Sequence, residues 1–450
     1  MKTIISKCIL AMSALSIAVA PAVAQVRSLD PAEPARGKPH PKLLAPPAGA
    51  IALSSVSKTS LRATVEELVG CGTRSSLSSW TDPKRGIGCA RDHIVARFNE
   101  IAKKSGGRME VKVDGFDATS PRTHDKPAHM ENVYAILPGT DPALAKTVFI
   151  VSGHFDSMPS DVMDADSDAP GADDDASGSA VSIECARLLA SRRFRATILF
   201  ATVSGEEQGL LGGTRLLKYI QENGYTVGGM LDNDIVGADS TPGAPHRVRL
   251  FSGGEGRADC DTPSRELARA IEAINGRGRI RMIYRVDRLG RGGDHYPFVM
   301  AGLPAVRFTE PWEDYHHEHQ NVREENGVQY GDLIKFLNFD FMATAARDNA
   351  EALRQLGSSP AAPEEVIIRG AVTPSAKLSW TVAEDPERAG FEILWRETTS
   401  PLWSVYDFVK GAREYTLEGV STDNHFFAVR AVGKNGARSI AVAAQLPRRR

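Results

Sequence analysis

Residues 148–157 read Val148-Phe149-Ile150-Val151-Ser152-Gly153-His154-Phe155-Asp156-Ser157. The four apolar residues at the start indicate a short strand that is buried on both faces. Gly153 ends the strand, and the polar side chains that follow it, His154 and Asp156, suit a metal site. Functional groups collect at the carboxyl ends of strands in open α/β sheets, so the stretch predicts such a sheet with a polar site at its edge.

Similar short strands alternate with helical periodicity along most of the chain. Helical apolar spacing comes first, from about residue 58 to residue 104. The predicted strands are 109–113, 132–137, 147–152, 196–202, 229–235, 248–252, 279–286 and 305–308, and the predicted helices are 178–190, 210–222, 263–274 and 332–349. This alternation predicts a three-layer α/β/α sandwich around a mixed, largely parallel sheet over residues 58–355.

The composition changes after this domain. Residues 356–364 are rich in Ser, Pro and Ala and are predicted to form a linker. Residues 365–447 contain only short alternating segments, which predict a small all-β sandwich. Trp380, residues 391–396 and residues 426–432 resemble a fibronectin type III domain.

The N-terminal residues predict export. Lys2 and Lys7 precede an apolar run too short to span a membrane well, and Ala22-Val23-Ala24 fits a cleavage site, so residues 1–24 are predicted to be a signal peptide. Residues 25–57, rich in Pro, Ala and Lys, are predicted to be a mobile leader or pro-segment. The mature protein is then expected to be secreted or periplasmic, without membrane insertion.

Charge and cysteine content narrow the possible partners. The 450 residues carry 54 Lys and Arg against 56 Asp and Glu, so no basic excess points to a nucleic-acid partner. Export permits a disulfide, and Cys71 and Cys89, which flank a Gly/Ser-rich loop, are the expected pair. Cys185 lies on an apolar helical face and is expected to be a free, buried thiol. The sequence does not fix the oligomeric state.

Four predicted strand ends carry side chains that can bind metal. They are His154 with Asp156, Asp173-Asp174-Asp175, Glu206-Glu207, and Asp232 with Asp234, and a His cluster at 316, 317 and 319 follows the last strand. Taken singly, the Asp run could be a solvated helix N-terminus, the Glu pair surface charge, and His154 a structural histidine. Their joint occurrence after predicted strands favours a metal site, because three adjacent carboxylates near a core are costly without a cation.

These residues resemble the co-catalytic zinc aminopeptidases related to the secreted enzymes of Aeromonas and Streptomyces. Glutamate carboxypeptidase II and glutaminyl cyclase belong to the same superfamily, and the resemblance covers about residues 60–350. It implies two Zn²⁺ per chain: His154 and Asp234 on one, Glu207 on the other, and Asp174 bridging both. It also implies a cis peptide after Asp174.

The same resemblance assigns the catalytic roles. Glu206 would be the general base and acid for a water activated by metal, and Asp156 would orient His154. A further histidine ligand comes from the loop after the last core strand. Spacing favours His317, because Asn321-Val322 then aligns with the usual Asp-Thr of the family, and His319 is the alternative. Asp294-His295 is expected near the pocket but not on the metal.

The function expected from the resemblance is aminopeptidase activity on peptide substrates. A carboxypeptidase or dipeptidase would need a basic group for the substrate carboxylate, for which Arg288, Arg291 and Arg307 are candidates. A glutaminyl cyclase using one zinc is a further alternative. From another class, the chain could be a surface-binding module with a vestigial peptidase domain.

Overall fold

The computed structural model describes residues 39–41, 43–239, 241–254 and 261–447. The predicted signal peptide and Cys260 lie outside these ranges. No helix in the described part of the chain is long and apolar enough to cross a membrane.

The described residues contain seven α-helices and seventeen strands. The helices are α1 (Lys58–Val69), α2 (Ile87–Lys103), α3 (Ala176–Leu189), α4 (Leu211–Glu222), α5 (Pro263–Asn275), α6 (Tyr296–Met300) and α7 (Phe339–Leu356). The strands of the first domain are β1 (Glu110–Ala118), β2 (Ala128–Leu137), β3 (Thr147–Ser152), β4 (Thr197–Thr202), β5 (Thr226–Asn233), β6 (Arg249–Phe251), β7 (Arg281–Ile283), β8 (Ala305–Thr309), β9 (Arg323–Glu325) and β10 (Val328–Tyr330). The strands of the second domain are β11 (Glu365–Arg369), β12 (Ala376–Thr381), β13 (Arg388–Glu397), β14 (Ser404–Val409), β15 (Glu414–Leu417), β16 (His425–Gly433) and β17 (Val442–Ala443).

The first domain is built on an eight-stranded sheet in the order β1-β2-β4-β3-β5-β8-β6-β7. The four central strands, β4-β3-β5-β8, are parallel to one another, and so are β6 and β7. The pairs β1–β2, β2–β4 and β6–β8 are antiparallel. The predicted mixed, largely parallel sheet is therefore confirmed.

Strand β3 shows how the three layers form. Val148 and Ile150 point to one face, in a hydrophobic cluster with residues of α4 and α6. Phe149 and Val151 point to the other face, in a larger cluster with residues of α1, α2, α3, α5 and α7. Because successive side chains of a strand alternate in direction, an unbroken apolar run can join both cores.

One helix begins later than its apolar spacing predicts. The prediction placed a helix over 332–349, but α7 starts at Phe339, and residues 334–336 form a 3-10 turn. The side chain of Asn338 accepts from the backbone N–H groups of Asp340 and Phe341, which sets the helix start. Asp332 therefore lies before the helix, and its carboxylate accepts hydrogen bonds from the backbone of the predicted site.

The second domain consists of two antiparallel sheets, β11-β12-β15 and β14-β13-β16-β17. Their shared core includes Trp380 and Phe391, whose rings meet edge to face at 5.3 Å between centroids. The predicted all-β architecture is confirmed, and its fibronectin type III character stays a prediction. β14 and the two-residue β17 were not predicted; in β14, Asp407 interrupts the alternation of apolar residues.

Both cysteine predictions are confirmed. Cys71 and Cys89 form a disulfide, and Cys185 is a buried free thiol.

Residues 44–55 are held against both domains, in contrast to the mobile leader that the composition predicts. The carbonyl of Leu44 accepts from Arg438 of the second domain at 2.7 Å. The carbonyl of Ala48 accepts from Arg354 of α7 at 3.0 Å. The segment therefore links the two domains. Whether it is cleaved as a pro-segment stays a prediction.

Asp261 joins the two domains through charged hydrogen bonds. Arg269 of α5 donates to Asp261 Oδ1 at 2.7 Å, and Arg396 of β13 donates to both of its carboxylate oxygens at 2.7 and 2.8 Å. Both arginine side chains are buried, at 4% and 3% exposure. Removing one partner of such a cluster is costly, because the remaining charges stay out of water.

We expect Asp261→Asn to lower the free energy of unfolding by about 3 kcal/mol. Urea unfolding measures this, and limited proteolysis reports whether the domains separate more easily. Asp340→Asn is the matched control, because it removes a 78%-exposed carboxylate whose ion pair with Lys58 contributes little. Equal effects of the two substitutions would contradict a role for Asp261 in joining the domains.

Candidate metal centre

Five side chains that can bind metal meet at the carboxyl edge of the central parallel strands. His154 follows β3, Glu207 follows β4, and Asp234 follows β5. Asp174 precedes α3, and His319 lies in the loop after β8. The parallel order of these strands brings together residues that are far apart in the sequence.

Asp174 lies at the centre of the cluster. Its Oδ1 is 3.1 Å from Nε2 of His154, and its Oδ2 is 3.0 Å from Nε2 of His319. Asp234 lies 3.7 Å from the first histidine, and Glu207 lies 3.1 Å from the second. Asp174 therefore belongs to two sets of three ligand atoms, each set within 4.8 Å.

The structure places His319, and not the preferred His317, in the cluster. The ring of His317 stacks on Phe336, with 3.6 Å between centroids, and its nearest carboxylate is that of Asp314 at 3.8 Å. His319, the alternative, points into the cluster and has a φ of 51°. Few non-glycine residues adopt this conformation, and sequence spacing cannot reveal it.

The neighbours of Asp174 hold its backbone in place. A cis peptide links Asp174 to Asp175, as the resemblance implies. Asp175 accepts from the N–H groups of Gly178 and His154, at 2.8 and 3.0 Å, and so connects α3 to the end of β3. Asp332 accepts from the N–H groups of Asp173 and Asp174. Only the middle carboxylate of the Asp run therefore faces the cluster.

Asp156 connects two of the strand-end loops. Its Oδ1 lies 3.4 Å from Nδ1 of His154. Its two oxygens accept from the backbone N–H groups of Glu206 and Glu207, at 3.4 and 3.2 Å. A carboxylate in this place fixes the orientation of the imidazole and the position of the two glutamates.

Glu206 faces an open cavity of about 280 Å³ beside the cluster. Asp174, Glu207, Asp234 and His319 line the same cavity. Burial raises the pKa of the Glu206 carboxyl well above its usual range. A substrate in this cavity would reach both Glu206 and the cluster.

The charges of the cluster fit a divalent metal. Glu207 raises the pKa of His319 to about 12, with a further contribution from Asp174 and against the effect of burial. Nε2 of His154 is buried and has no hydrogen-bond partner, although two carboxylates lie within 3.7 Å of it. Imidazole and carboxylate ligands at such spacing suit Zn²⁺, which would satisfy that nitrogen and the carboxylates together.

Two buried arginines support the site: Arg74 was not predicted, and Arg307 was predicted only as a candidate for a substrate carboxylate. Arg307 of β8 is fully buried and contacts Asp234 at 2.9 Å and Asp287 at 3.2 Å. Arg74 donates to the carbonyls of Phe155 and Gly171, and burial lowers its pKa to about 10. Arg74 and Arg307 lie far in sequence from Phe155 and Asp234, so no local sequence pattern predicts these contacts.

The predicted substrate-binding arginines are already paired. Arg307 is the buried partner of Asp234, and Arg288 and Arg291 both bind Glu313, whose side chain is 2% exposed. These three residues are therefore poorly placed to bind a substrate carboxylate.

Asp294 and His295 lie next to the site and outside both ligand sets. Asp294 accepts from the N–H of Gly213 at 2.9 Å. His295 lies 3.3 Å from Asp232, which raises the pKa of His295 to about 9 against the effect of burial.

Comparison with known proteins adds independent findings. The profile of Peptidase family M28 matches residues 132–342. A probable zinc metalloprotease of Pyrenophora tritici-repentis is 39% identical over 415 residues, which cover 87% of this chain and 85% of the relative. A probable zinc metalloprotease of Leptosphaeria maculans is 40% identical over 412 residues, covering 87% and 95%.

A solved structure supports the fold. The LapA aminopeptidase of Legionella pneumophila superposes with a TM-score of 0.51 and 20% identity, over 69% of this chain and 73% of that one. At this identity the likeness concerns the fold alone. The family profile and relatives of about 40% identity over most of the chain agree with the ligand sets described above. The chain belongs to Peptidase family M28.

Proposed function

We propose that the protein is a zinc-dependent exopeptidase that removes the N-terminal residue from peptides. The observation that carries the proposal is the position of Asp174, whose two oxygens face different imidazoles. A carboxylate shared by two ligand sets can bind one divalent ion with each oxygen. We therefore propose two zinc ions per chain, one at His154, Asp174 and Asp234 and the other at Asp174, Glu207 and His319.

The choice of zinc has two supports. The donor set of imidazole nitrogens and carboxylate oxygens suits this ion. The two similar fungal relatives are described as probable zinc metalloproteases. Zinc bound here would act as a Lewis acid toward the scissile carbonyl and lower the pKa of a water molecule.

Glu206 is the proposed general base and acid. It lines the cavity without belonging to either ligand set. Its carboxylate takes a proton from the attacking water and then gives it to the nitrogen of the leaving amine as the peptide bond breaks. Asp156 keeps Glu206 in place through the backbone N–H, so the same carboxylate positions the base and one histidine ligand.

The free amine of a peptide would bind beside Glu206, which lines the cavity and belongs to neither ligand set. Asp174, Glu207 and Asp234 line the same cavity as proposed zinc ligands. The carboxypeptidase or dipeptidase alternative needs a free basic group, and the three arginines first considered for it are paired with acidic side chains. These three arginines therefore do not support that alternative.

Export of the protein is also proposed. The Cys71–Cys89 disulfide is suited to an oxidising compartment such as the periplasm or the extracellular medium. Peptides are then the proposed partners, and nothing in the charge balance favours nucleic acid.

The first test concerns the histidine ligand. We expect His319→Ala to reduce bound zinc from about two ions to about one per chain, because one ligand set loses its only imidazole. Metal content after dialysis, measured by plasma mass spectrometry, checks this. His317→Ala is the matched control, from the same loop, and should keep its metal. Metal loss in the control alone would restore the original choice of His317.

The second test concerns Glu206. We expect Glu206→Gln to lower kcat by roughly 10²–10⁴-fold on aminoacyl chromogenic substrates, because the proton-transfer group is lost. Zinc content and melting temperature should stay near those of the unchanged protein.

The same assay separates the alternatives. N-blocked and C-terminally amidated analogues are run beside the free-amine substrates, with and without a chelator. Chelator-sensitive release from free-amine substrates supports the proposal. Activity on N-blocked substrates alone would identify a carboxypeptidase. Cyclisation of N-terminal glutamine without hydrolysis would identify a glutaminyl cyclase.

A further inference from the structure

Arg122 is a cation in the wall of the catalytic cavity. It lies in the 3-10 turn Pro121–Thr123 and lines the same cavity as Asp174, Glu206 and His319. Its Nη1 donates a hydrogen bond of 2.7 Å to the carbonyl of Glu207. No carboxylate in the described parts of the chain forms an ion pair with it, in contrast to Arg288 and Arg291.

The turn that carries Arg122 is fixed to the catalytic loop. Ser120 and Thr123 form a capping box across the turn. The hydroxyl of Ser120 donates to the carbonyl of Gln208, and Arg122 itself binds the preceding carbonyl. The guanidinium is therefore held at a set place relative to Glu206 and Glu207, with four of its five N–H donors left for a ligand.

The neighbouring surface is also basic. A second cavity of about 570 Å³ shares Leu210, Arg288 and Arg291 with the catalytic cavity. Its lining adds Arg285, an exposed side chain without an ion-pair partner in the described ranges. Arg288 and Arg291 are paired with Glu313, so Arg122 and Arg285 are the basic groups that an anionic substrate would meet here without a competing ion pair in the described ranges.

We propose that Arg122 binds a carboxylate of the substrate, so that the enzyme prefers acidic peptides. This inference rests on the proposed peptidase function and adds a substrate class to it. The carboxylate is an Asp or Glu side chain beside the scissile bond or the C-terminal group of a short peptide. A planar guanidinium with free donors binds either one by paired hydrogen bonds.

The test compares peptides that differ only in one charge. In the first arm, C-terminally amidated peptides carry Glu or Gln at the first or second position. In the second arm, the same neutral dipeptide is offered as the free acid and as the amide. We expect a preference of about tenfold in kcat/KM for the charged member of at least one arm, as for an exposed charge-assisted hydrogen bond. The arm that shows it identifies the source of the carboxylate.

Substitutions of Arg122 test whether this residue causes the preference for the charged peptide. Arg122→Gln should reduce the ratio to about one, and Arg122→Lys should restore part of it. Arg193→Gln is the matched control, because Arg193 is exposed and lies before β4, at the opposite edge of the sheet. A ratio near one in the unchanged protein, or an equal loss on charged and neutral peptides in Arg122→Gln, would overturn the inference.

A binding measurement separates this inference from the peptidase proposal. Titration calorimetry in the zinc-loaded Glu206→Gln background compares the Glu and Gln peptides without turnover. If free-amine peptides are not hydrolysed by the unchanged protein, the peptidase proposal fails, while a charge preference in binding that disappears with Arg122→Gln still supports Arg122. If neutral peptides are hydrolysed but binding shows no preference, only the inference about Arg122 fails.

Discussion

The carboxylate of Asp174, buried between two imidazoles, is the constraint on which the rest of the site depends. Together with Glu206, Glu207 and Asp234 it places four carboxylates around one cavity. Such a concentration of negative charge in a poorly solvated place is unfavourable unless cations compensate for it. The surrounding structure meets this requirement in two ways, through buried arginines behind the site and through ligand geometry that suits divalent metal.

The fold supplies the geometry that this constraint demands. Four adjacent parallel strands, β4-β3-β5-β8, end at one edge, and each is followed by a loop that contributes a ligand or the proposed base. Acidic side chains outside the two ligand sets connect these loops through hydrogen bonds. Asp156, Asp175 and Asp332 each accept backbone N–H groups from other loops, so their substitution would displace ligands without removing one.

The sequence allowed the sheet, both domains and most of the site to be predicted, because each depends on local patterns. Apolar runs followed by polar or acidic residues mark the strand ends where His154, Glu207 and Asp234 lie, and the Asp run that contains Asp174 precedes a helix. The choice between His317 and His319 depended instead on a left-handed backbone conformation and on a ring stacked on Phe336. The roles of Arg74, Arg307 and Asp332 depend on contacts across more than 70 residues, which a single sequence does not show.

The central claim is that Asp174 joins two zinc sites. Diffraction from crystals of the zinc-loaded protein, collected at the zinc absorption edge, tests it most directly. The account predicts two anomalous peaks about 3.5–4 Å apart, with one oxygen of Asp174 toward each peak and His154 and His319 on opposite sides. A single peak, or two peaks that Asp174 does not contact, would contradict it.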